Sequence, residues 1–334
     1  MIIDANSANA SDAIVWTGSS NWNTQQFNYD YNNSIVIQDQ ALAKAYRNHF
    51  NMMWGDTGIA PNSTLSKFGS FKTDLGAHTF VIEGKTVELY FSPSDGVNNK
   101  ILNTINTANT DMYFGMSTFT YNSNATQLVT KYGAGVYVAG IDDGAVSSTT
   151  ANSILTSGLG SKFIVYSGSD LYHNKFLIVD PSNTCSDPLV LTGSHNWTVS
   201  ADTKNDENTL IIHDDTAANV YYQSFYANFL ALGGTLSAVT GCPTGIEEAT
   251  TEPDVLLTPN PSTGEITVHF VKGITEATRI EVYNMQGQLI LQPLSLGKEN
   301  YGIDHYFSIA TPGTYVVRLI TENGSISKLI SILP

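Results

Sequence analysis

The sequence predicts an α/β fold, a mixed sheet flanked by helices, followed by a small C-terminal all-β, immunoglobulin-like sandwich. Three observations carry this. Between residues 85 and 235, apolar runs of strand length alternate with amphipathic segments of helical period. A block of strand, loop, strand and helix occurs twice at a nearly constant offset. Beyond residue 255 the helical period stops, and short strands alternate with turn residues.

The elements follow in order. Strands are expected at 13–16 and 34–37, then a helix at 40–54 in which Leu42, Ala45, Tyr46 and Phe50 share a face. Residues 1–55 form the first unit, and 56–84, rich in Gly, Asn, Ser and Thr, a connector. Within 85–235, strands are expected at 87–91, 112–116, 136–141, 163–166, 176–179, 189–191 and 210–212. Helices are marked by Ile101, Leu102, Ile105 and Ala108, by the run 125–132, and by 216–230 with Val220, Tyr221, Phe225 and Phe229 on one face. A Gly, Pro and Thr-containing linker at 236–254 leads into residues 255–334, with strands at 265–271, 279–283, 288–292, 306–309, 314–320 and 326–332. That last region holds no clustered His, Cys or paired carboxylates, so chemistry is expected upstream of it.

Charge narrows the partners. Fifteen Lys and Arg stand against 30 Asp and Glu, a net charge of −15. Such a field disfavours nucleic-acid backbones and anionic membranes, because non-specific binding to both rests on basic residues. It argues against a broad basic footprint and leaves room for a local phosphate pocket. No apolar run approaches a membrane span, and no basic stretch followed by an apolar core marks a signal peptide. Cys185 and Cys242 both lie in polar, Pro-containing loops; one disulfide and two free thiols are equally compatible with that placement. Two cysteines cannot make a zinc site alone, and neither a metal nor another cofactor is expected.

The duplicated block carries the chemistry. Its second copy reads Tyr172-His173-Asn174-Lys175-Phe176-Leu177-Ile178-Val179-Asp180, then Leu191-Thr192-Gly193-Ser194-His195-Asn196-Trp197, then Asn205-Asp206-Glu207-Asn208. The first reads Met1-Ile2-Ile3-Asp4, then Trp16-Thr17-Gly18-Ser19-Ser20-Asn21-Trp22, then Asn32-Asn33. Gly18 and Gly193 are 175 residues apart, as are Asn33 and Asn208; Asp4 and Asp180 are 176 apart. Aligned this way, the His and Lys of the first copy fall just ahead of residue 1, so the chain is expected to start inside a motif. His173 and Lys175, two apart at a strand entry, face the same side. They bring a group titrating near neutrality and a fixed positive charge. Ser194 adds a hydroxyl, Asn196 an amide, and Gly193 a backbone that a ligand can approach closely. Glu207 is expected to orient the His173 imidazole. Together these groups suit phosphate, with an imidazole able to attack phosphorus or to protonate a leaving oxygen. Trp22 and Trp197 are equivalent by the repeat, which favours core packing for both.

The string His173, Lys175, Asp180, Gly193, Ser194, Asn196 and Glu207 resembles the signature of the phospholipase D superfamily, as do Tyr90-Phe91-Ser92-Pro93 and Gly135-Val136-Tyr137-Val138. The resemblance covers about residues 1–235. It implies two similar lobes sharing one site and a metal-independent reaction through a phosphohistidine. His173 would be the catalytic histidine of the second lobe, more often the general acid. Lys175, Ser194 and Asn196 would hold phosphate, joined by Ser19 and Asn21 from the first copy, where Asn32 stands in the place of Glu207. Asp180 and Gly193, with Asp4 and Gly18 in the first copy, would be structural. Because only one His-Lys pair is present where the family uses two, impaired turnover is expected. A homodimer is one way single-motif members complete a site, although residues 1–55 already occupy the partner's place here. Phospholipid is favoured over nucleic acid as substrate; an endonuclease and an inactive surface-binding module are the alternatives.

The C-terminal region resembles the type A sorting domain of the type IX secretion system of Bacteroidetes. The residues are Leu257-Thr258-Pro259-Asn260-Pro261, Val282-Tyr283-Asn284-Met285-Gln286-Gly287-Gln288, Pro312-Gly313-Thr314-Tyr315 and Lys328. It implies handling by that export machinery and a secreted or cell-surface location.

Overall fold

A computed structural model of the chain describes residues 1–144, 149–237, 239, 255–270, 277–284, 287–295, 304–321 and 324–333. These fall into two compact units, Met1–Cys242 and Pro243–Pro334. The pairing of Cys185 with Cys242 lies outside the described residues.

The first unit opens with β1 (Ile2–Ile3), β2 (Ile14–Gly18), the short α1 (Thr24–Asn28), β3 (Ser34–Gln38) and α2 (Gln40–Trp54). The three strands make one antiparallel sheet in the order β1-β2-β3. Helix α2 starts where Asp39 Oδ1 accepts the Leu42 amide at 2.7 Å, and it ends at Gly55, whose φ of 76° lets the chain turn away. Next come β4 (Thr79–Ile82), β5 (Lys85–Phe91), α3 (Val97–Thr107), β6 (Asp111–Met116), α4 (Asn122–Gly133), β7 (Tyr137–Asp143), α5 (Thr150–Leu159) and β8 (Phe163–Tyr166). They are followed by β9 (Lys175–Val179), β10 (Leu189–Gly193), α6 (Val199–Thr203), β11 (Asn208–His213) and α7 (Asp215–Ala231). The eight-stranded sheet runs β4-β5-β11-β10-β9-β6-β7-β8. Only the β6-β7 and β7-β8 pairs are parallel, so the sheet is mixed, as the sequence predicts. The connector is not structureless throughout, since β4 lies within it and pairs with β5.

Why the central strands read as unbroken apolar runs is clear from their surroundings. All five residues of β9 are buried. Phe176 and Ile178 point into the core that includes Phe225 and Phe229 of α7. Leu177 and Val179 point into the other core, with Ile101 and Ile105 of α3 and Leu128 of α4. A strand covered on both faces has no polar position to show.

The same arrangement recurs in the first copy with one face missing. On one side of its sheet Ala13 and Val15 join Leu42 and Ala43 of α2 in the buried core. On the other side, among the described residues, nothing corresponding to α3 and α4 covers the strands. Val36 is therefore 61% exposed where its counterpart Ile211 is 4% exposed. This corrects the expectation for Trp22. It is 63% exposed and lies against Trp16 at 5.4 Å between ring centroids. Trp197 is fully buried between Phe114 and Phe119.

The second unit contains β12 (Val255–Thr258), β13 (Glu265–Phe270), β14 (Ala277–Asn284), β15 (Leu294–Ser295), β16 (His305–Ser308), β17 (Gly313–Thr321) and β18 (Gly324–Ile332). They form an antiparallel sheet β12-β13-β16 and a second, β15-β14-β17-β18. Val268, Ile266, Ile280, Val317 and Ile330 form the core. The strand expected at 288–292 is reduced to an isolated bridge from Leu289 to Tyr283.

Candidate active site

The two copies share backbone geometry at matching loop positions. Gly18 and Gly193 take φ values of 148° and 150°, and a Cβ on either would lie 2.2 Å from a carbonyl, that of Asn33 or Asn208. No other residue fits that approach. Asp4 and Asp180 likewise share a left-handed φ, 47° and 49°. The Ser19 and Ser194 amides donate to the Asn33 and Asn208 carbonyls at 2.9 and 3.0 Å. Ser19 Oγ donates to Asn32 Oδ1 at 2.9 Å; Ser194 Oγ donates to Glu207 Oε2 at 2.6 Å.

Across the copies the contacts are reciprocal. Asn33 Nδ2 donates to Thr192 Oγ1 at 2.6 Å and reaches Tyr221 Oη at 3.4 Å. In mirror fashion, Thr17 Oγ1 and Tyr46 Oη donate to Asn208 Oδ1 at 2.7 and 3.0 Å. Asn33 Oδ1 also accepts the Lys175 amide at 3.2 Å. His173 is held the same way: its Nδ1 lies 3.0 Å from Asn32 Oδ1. The residue that orients His173 is thus Asn32 of the first copy, which corrects the expectation for Glu207. Glu207 instead takes its hydrogen bonds from Ser194 Oγ and Asn205 Nδ2. It lines a cavity of about 500 Å³ with Met1, Thr17, Tyr46, Phe91 and Asn208. Asn32 and Asn33 could have been found from the repeat, which sets them against Glu207 and Asn208.

Residues 1–54 and 101–228, more than half of the chain, match the family described as cardiolipin synthase, PLD-like domain. The chain belongs to the phospholipase D-like family. Residues 257–332 match the secretion system C-terminal sorting domain, which marks this family member as a secreted or cell-surface protein. A phospholipase D of Rickettsia prowazekii (strain Madrid E) is 42% identical over 55 residues, 16% of this chain and 24% of that protein. A mitochondrial cardiolipin hydrolase of Xenopus tropicalis is 34% identical over 111 residues, 32% of this chain and 49% of that one. The chain thus spans about half or less of the length of these relatives. Among solved structures, Nuc, a phospholipase D family member of Salmonella typhimurium, is 24% identical with a TM-score of 0.39, covering 46% of this chain and 99% of its own. A phosphatidylserine synthase of Haemophilus influenzae Rd KW20 is 13% identical with a TM-score of 0.46, covering 67% and 60%.

The electrostatics of this phospholipase D-like site follow from burial. Lys175 is buried, and that burial pulls its ammonium down to about 7, opposed by the charge of Glu207. Its Nζ lies 3.3 and 3.2 Å from the two ring nitrogens of His173. Burial first, and then this ammonium, push the imidazole down to about 4. A neutral His173 whose Nδ1–H is given to Asn32 carries its lone pair on Nε2.

The remaining expected residues divide clearly. Ser19 is buried at the His173 cluster. Asn21 is exposed, and its amide donates to Gln26 Oε1. Asn196 Oδ1 is buried without a partner. Asp180 is fully buried and accepts from the amides of Asn109, Thr110 and Asp111 and from Ser186 Oγ, contacts of a structural anchor. His195 is buried with neither ring nitrogen hydrogen-bonded. Among the described residues, no helix is long and apolar enough to cross a membrane.

Proposed function

We propose that the chain is the framework of a secreted phosphodiesterase that works through a phosphohistidine, with phospholipid as the favoured substrate class. The single observation carrying this is the reciprocal cluster in which Asn32 and Asn33 of one copy hold His173 and Lys175 of the other. Lys175, Ser194 and Asn196 would bind the phosphate. The substrate preference rests on the net charge of −15 and on the names of the rickettsial and Xenopus relatives.

The two halves of the site are chemically unequal, and this supports a division of labour. Asn32 is neutral, so it leaves His173 weakly basic and ready to release a proton to the leaving oxygen once phosphate charge has drawn one onto it. Glu207 is a carboxylate, which would make an imidazole held against it more basic and the better nucleophile. Attack would form an N–P bond as the alcohol leaves with the proton from His173. Water, deprotonated by His173, would then break that bond. Among the described residues the side-chain partners of Glu207 are Ser194 and Asn205, so the acid is held in place and no imidazole stands against Glu207. Turnover is therefore expected to be low.

The test adds a copy of residues 172–176 directly ahead of Met1. The register that pairs Ile2 with Val15, continued by the Trp16 amide on the Met1 carbonyl at 2.9 Å, would bring the new Lys alongside Gly18 and the new His alongside Ser20. Hydrolysis of phosphatidylcholine vesicles and of single-stranded DNA is then compared with the original chain. A gain of about 10²–10⁴-fold is expected, abolished by His173→Ala. Undiminished, family-like turnover by the original chain would overturn the reading, and preference for DNA would overturn the substrate class.

A further inference from the structure

Given the reading of His173 as the proton donor of the site, on which this rests, we propose that Asp30 is its positioning residue. Asp30 clamps the strand entry that carries the imidazole, and it supplies the negative charge that steadies the protonated ring.

Residues 30–33 of the first copy lie along residues 171–175 of the second as a splint. Asp30 Oδ1 accepts the Leu171 amide at 3.1 Å, and the Leu171 carbonyl accepts the Tyr31 amide at 2.9 Å. Asn32 then meets His173, and Asn33 the Lys175 amide. Contacts thus recur at every second residue, 171, 173 and 175. The splint is braced at both ends. Gln25 Nε2 of α1 donates to Asp30 Oδ1 at 3.0 Å. The Tyr31 ring packs against Tyr172 and Tyr166, at 5.8 and 5.7 Å between centroids.

The repeat shows that the charge has moved. Asp30 and Asn205 are 175 residues apart, as are Asn32 and Glu207. Each copy therefore carries one carboxylate and one amide at this pair of positions, in opposite order. At the position that touches the imidazole the first copy has the neutral Asn32, and its carboxylate stands two residues earlier. A carboxylate displaced in this way favours the protonated ring by its charge without standing ready to accept the proton itself. The Asp30 charge opposes that of Lys175 at His173. Asp30 Oδ2 is buried and takes no hydrogen bond among the described residues, and a carboxylate oxygen in that state is stabilised by a nearby positive charge. The cations of this cluster are Lys175 and, once protonated, His173. The other titratable groups around them are Tyr31, Asp143 at the end of β7, whose Oδ2 accepts the Tyr172 amide, Tyr166 of β8, and Glu207, which acts on Lys175.

The experiment uses the full chain and two readouts that do not depend on turnover. Hydrogen exchange reports the clamp. Asp30→Ala should speed exchange of the Leu171 amide by about fivefold or more, the effect of one lost hydrogen bond, whereas Asp30→Asn, whose Oδ1 still accepts, keeps its protection. NMR titration of the His173 ring proton reports the charge. Asp30→Asn should lower the midpoint by about half a pH unit, both in the original chain and in Lys175→Met, which moves the midpoint the other way and away from acid unfolding. Asp187→Asn, at the far end of the β9–β10 hairpin, should leave both readouts unchanged. An unchanged midpoint in Asp30→Asn would overturn the electrostatic role, and unchanged Leu171 exchange in Asp30→Ala would overturn the clamp. Failure of the phosphodiesterase reading would show instead in the vesicle assay, which needs neither variant.

Discussion

Replacing Asn32 by aspartate tests the geometry of the site directly. Asn32 Oδ1 stands 3.0 Å from His173 Nδ1, so Asn32→Asp puts a full negative charge at that position without changing side-chain size. An opposite charge this close raises an imidazole by about 1–3 pH units, at about 1.4 kcal/mol per unit. His173 begins at about 4, so its midpoint is expected between about 5 and 7. Ser19 Oγ can still donate to the new carboxylate, while the amide bonds to the Gln26 and Asp30 carbonyls, at 3.0 and 3.4 Å, are lost. That loss should cost about 1 kcal/mol of stability. The assay is the pH titration of the His173 ring proton by NMR, assigned with His173→Gln. Lys175→Met is the companion variant and should also raise the midpoint, since the ammonium is the second cause of the depression. A midpoint that stays put or falls in Asn32→Asp would refute the claim that Asn32 holds His173.

Two further outcomes follow from the same contacts. Asp180→Ala strands the amides of Asn109, Thr110 and Asp111, of which that of Asp111 is fully buried. A buried unsatisfied donor costs about 1–3 kcal/mol and a partly exposed one less, so urea unfolding should show a loss of at least about 2 kcal/mol; a loss under about 1 kcal/mol would contradict the anchoring role. Acid should also weaken the fold. Burial holds His49, His173 and His195 at about 4, so between pH 6.5 and 4 the unfolded chain binds protons that the folded chain refuses, and stability falls with pH. His78 and His213, both raised, oppose this below their own midpoints. His195→Gln should make the decline shallower in denaturant titrations from pH 7 to 4.5; an unchanged slope would count against it.

Much of the fold was legible because the β9 and β10 strands are buried on both faces and α2 carries a regular apolar face; α7 buries Phe225 and Phe229 but leaves Val220, expected on the same face, 59% exposed. Helix α1 was not legible, because it is a five-residue turn fixed by the side chain of Asn23 rather than by any periodicity. The site was legible as a set of residue types through the repeat. Its wiring was not. Sequence proximity within one motif suggests that Glu207 serves His173, whereas the lobes cross over and Asn32 does. Trp22 misled for a related reason: repeat equivalence predicts the same surroundings, and only the three-dimensional arrangement shows that α3 and α4 cover one copy's strands alone.

The crossover has a consequence for how the protein matures. The bonds that shape the site join residues 141, 142 and 191 positions apart in sequence, whereas β9 beneath His173 pairs with β10 across a hairpin and with β6 at separations of 59 to 67. Contacts of such long range form late, since the loop they close must first be lost as chain entropy. The second half can therefore become compact around Trp197 while His173 still swings free. Completion of the site is a property of the last docking event, and a chain arrested before it would be folded by most optical criteria while His173 is still unheld.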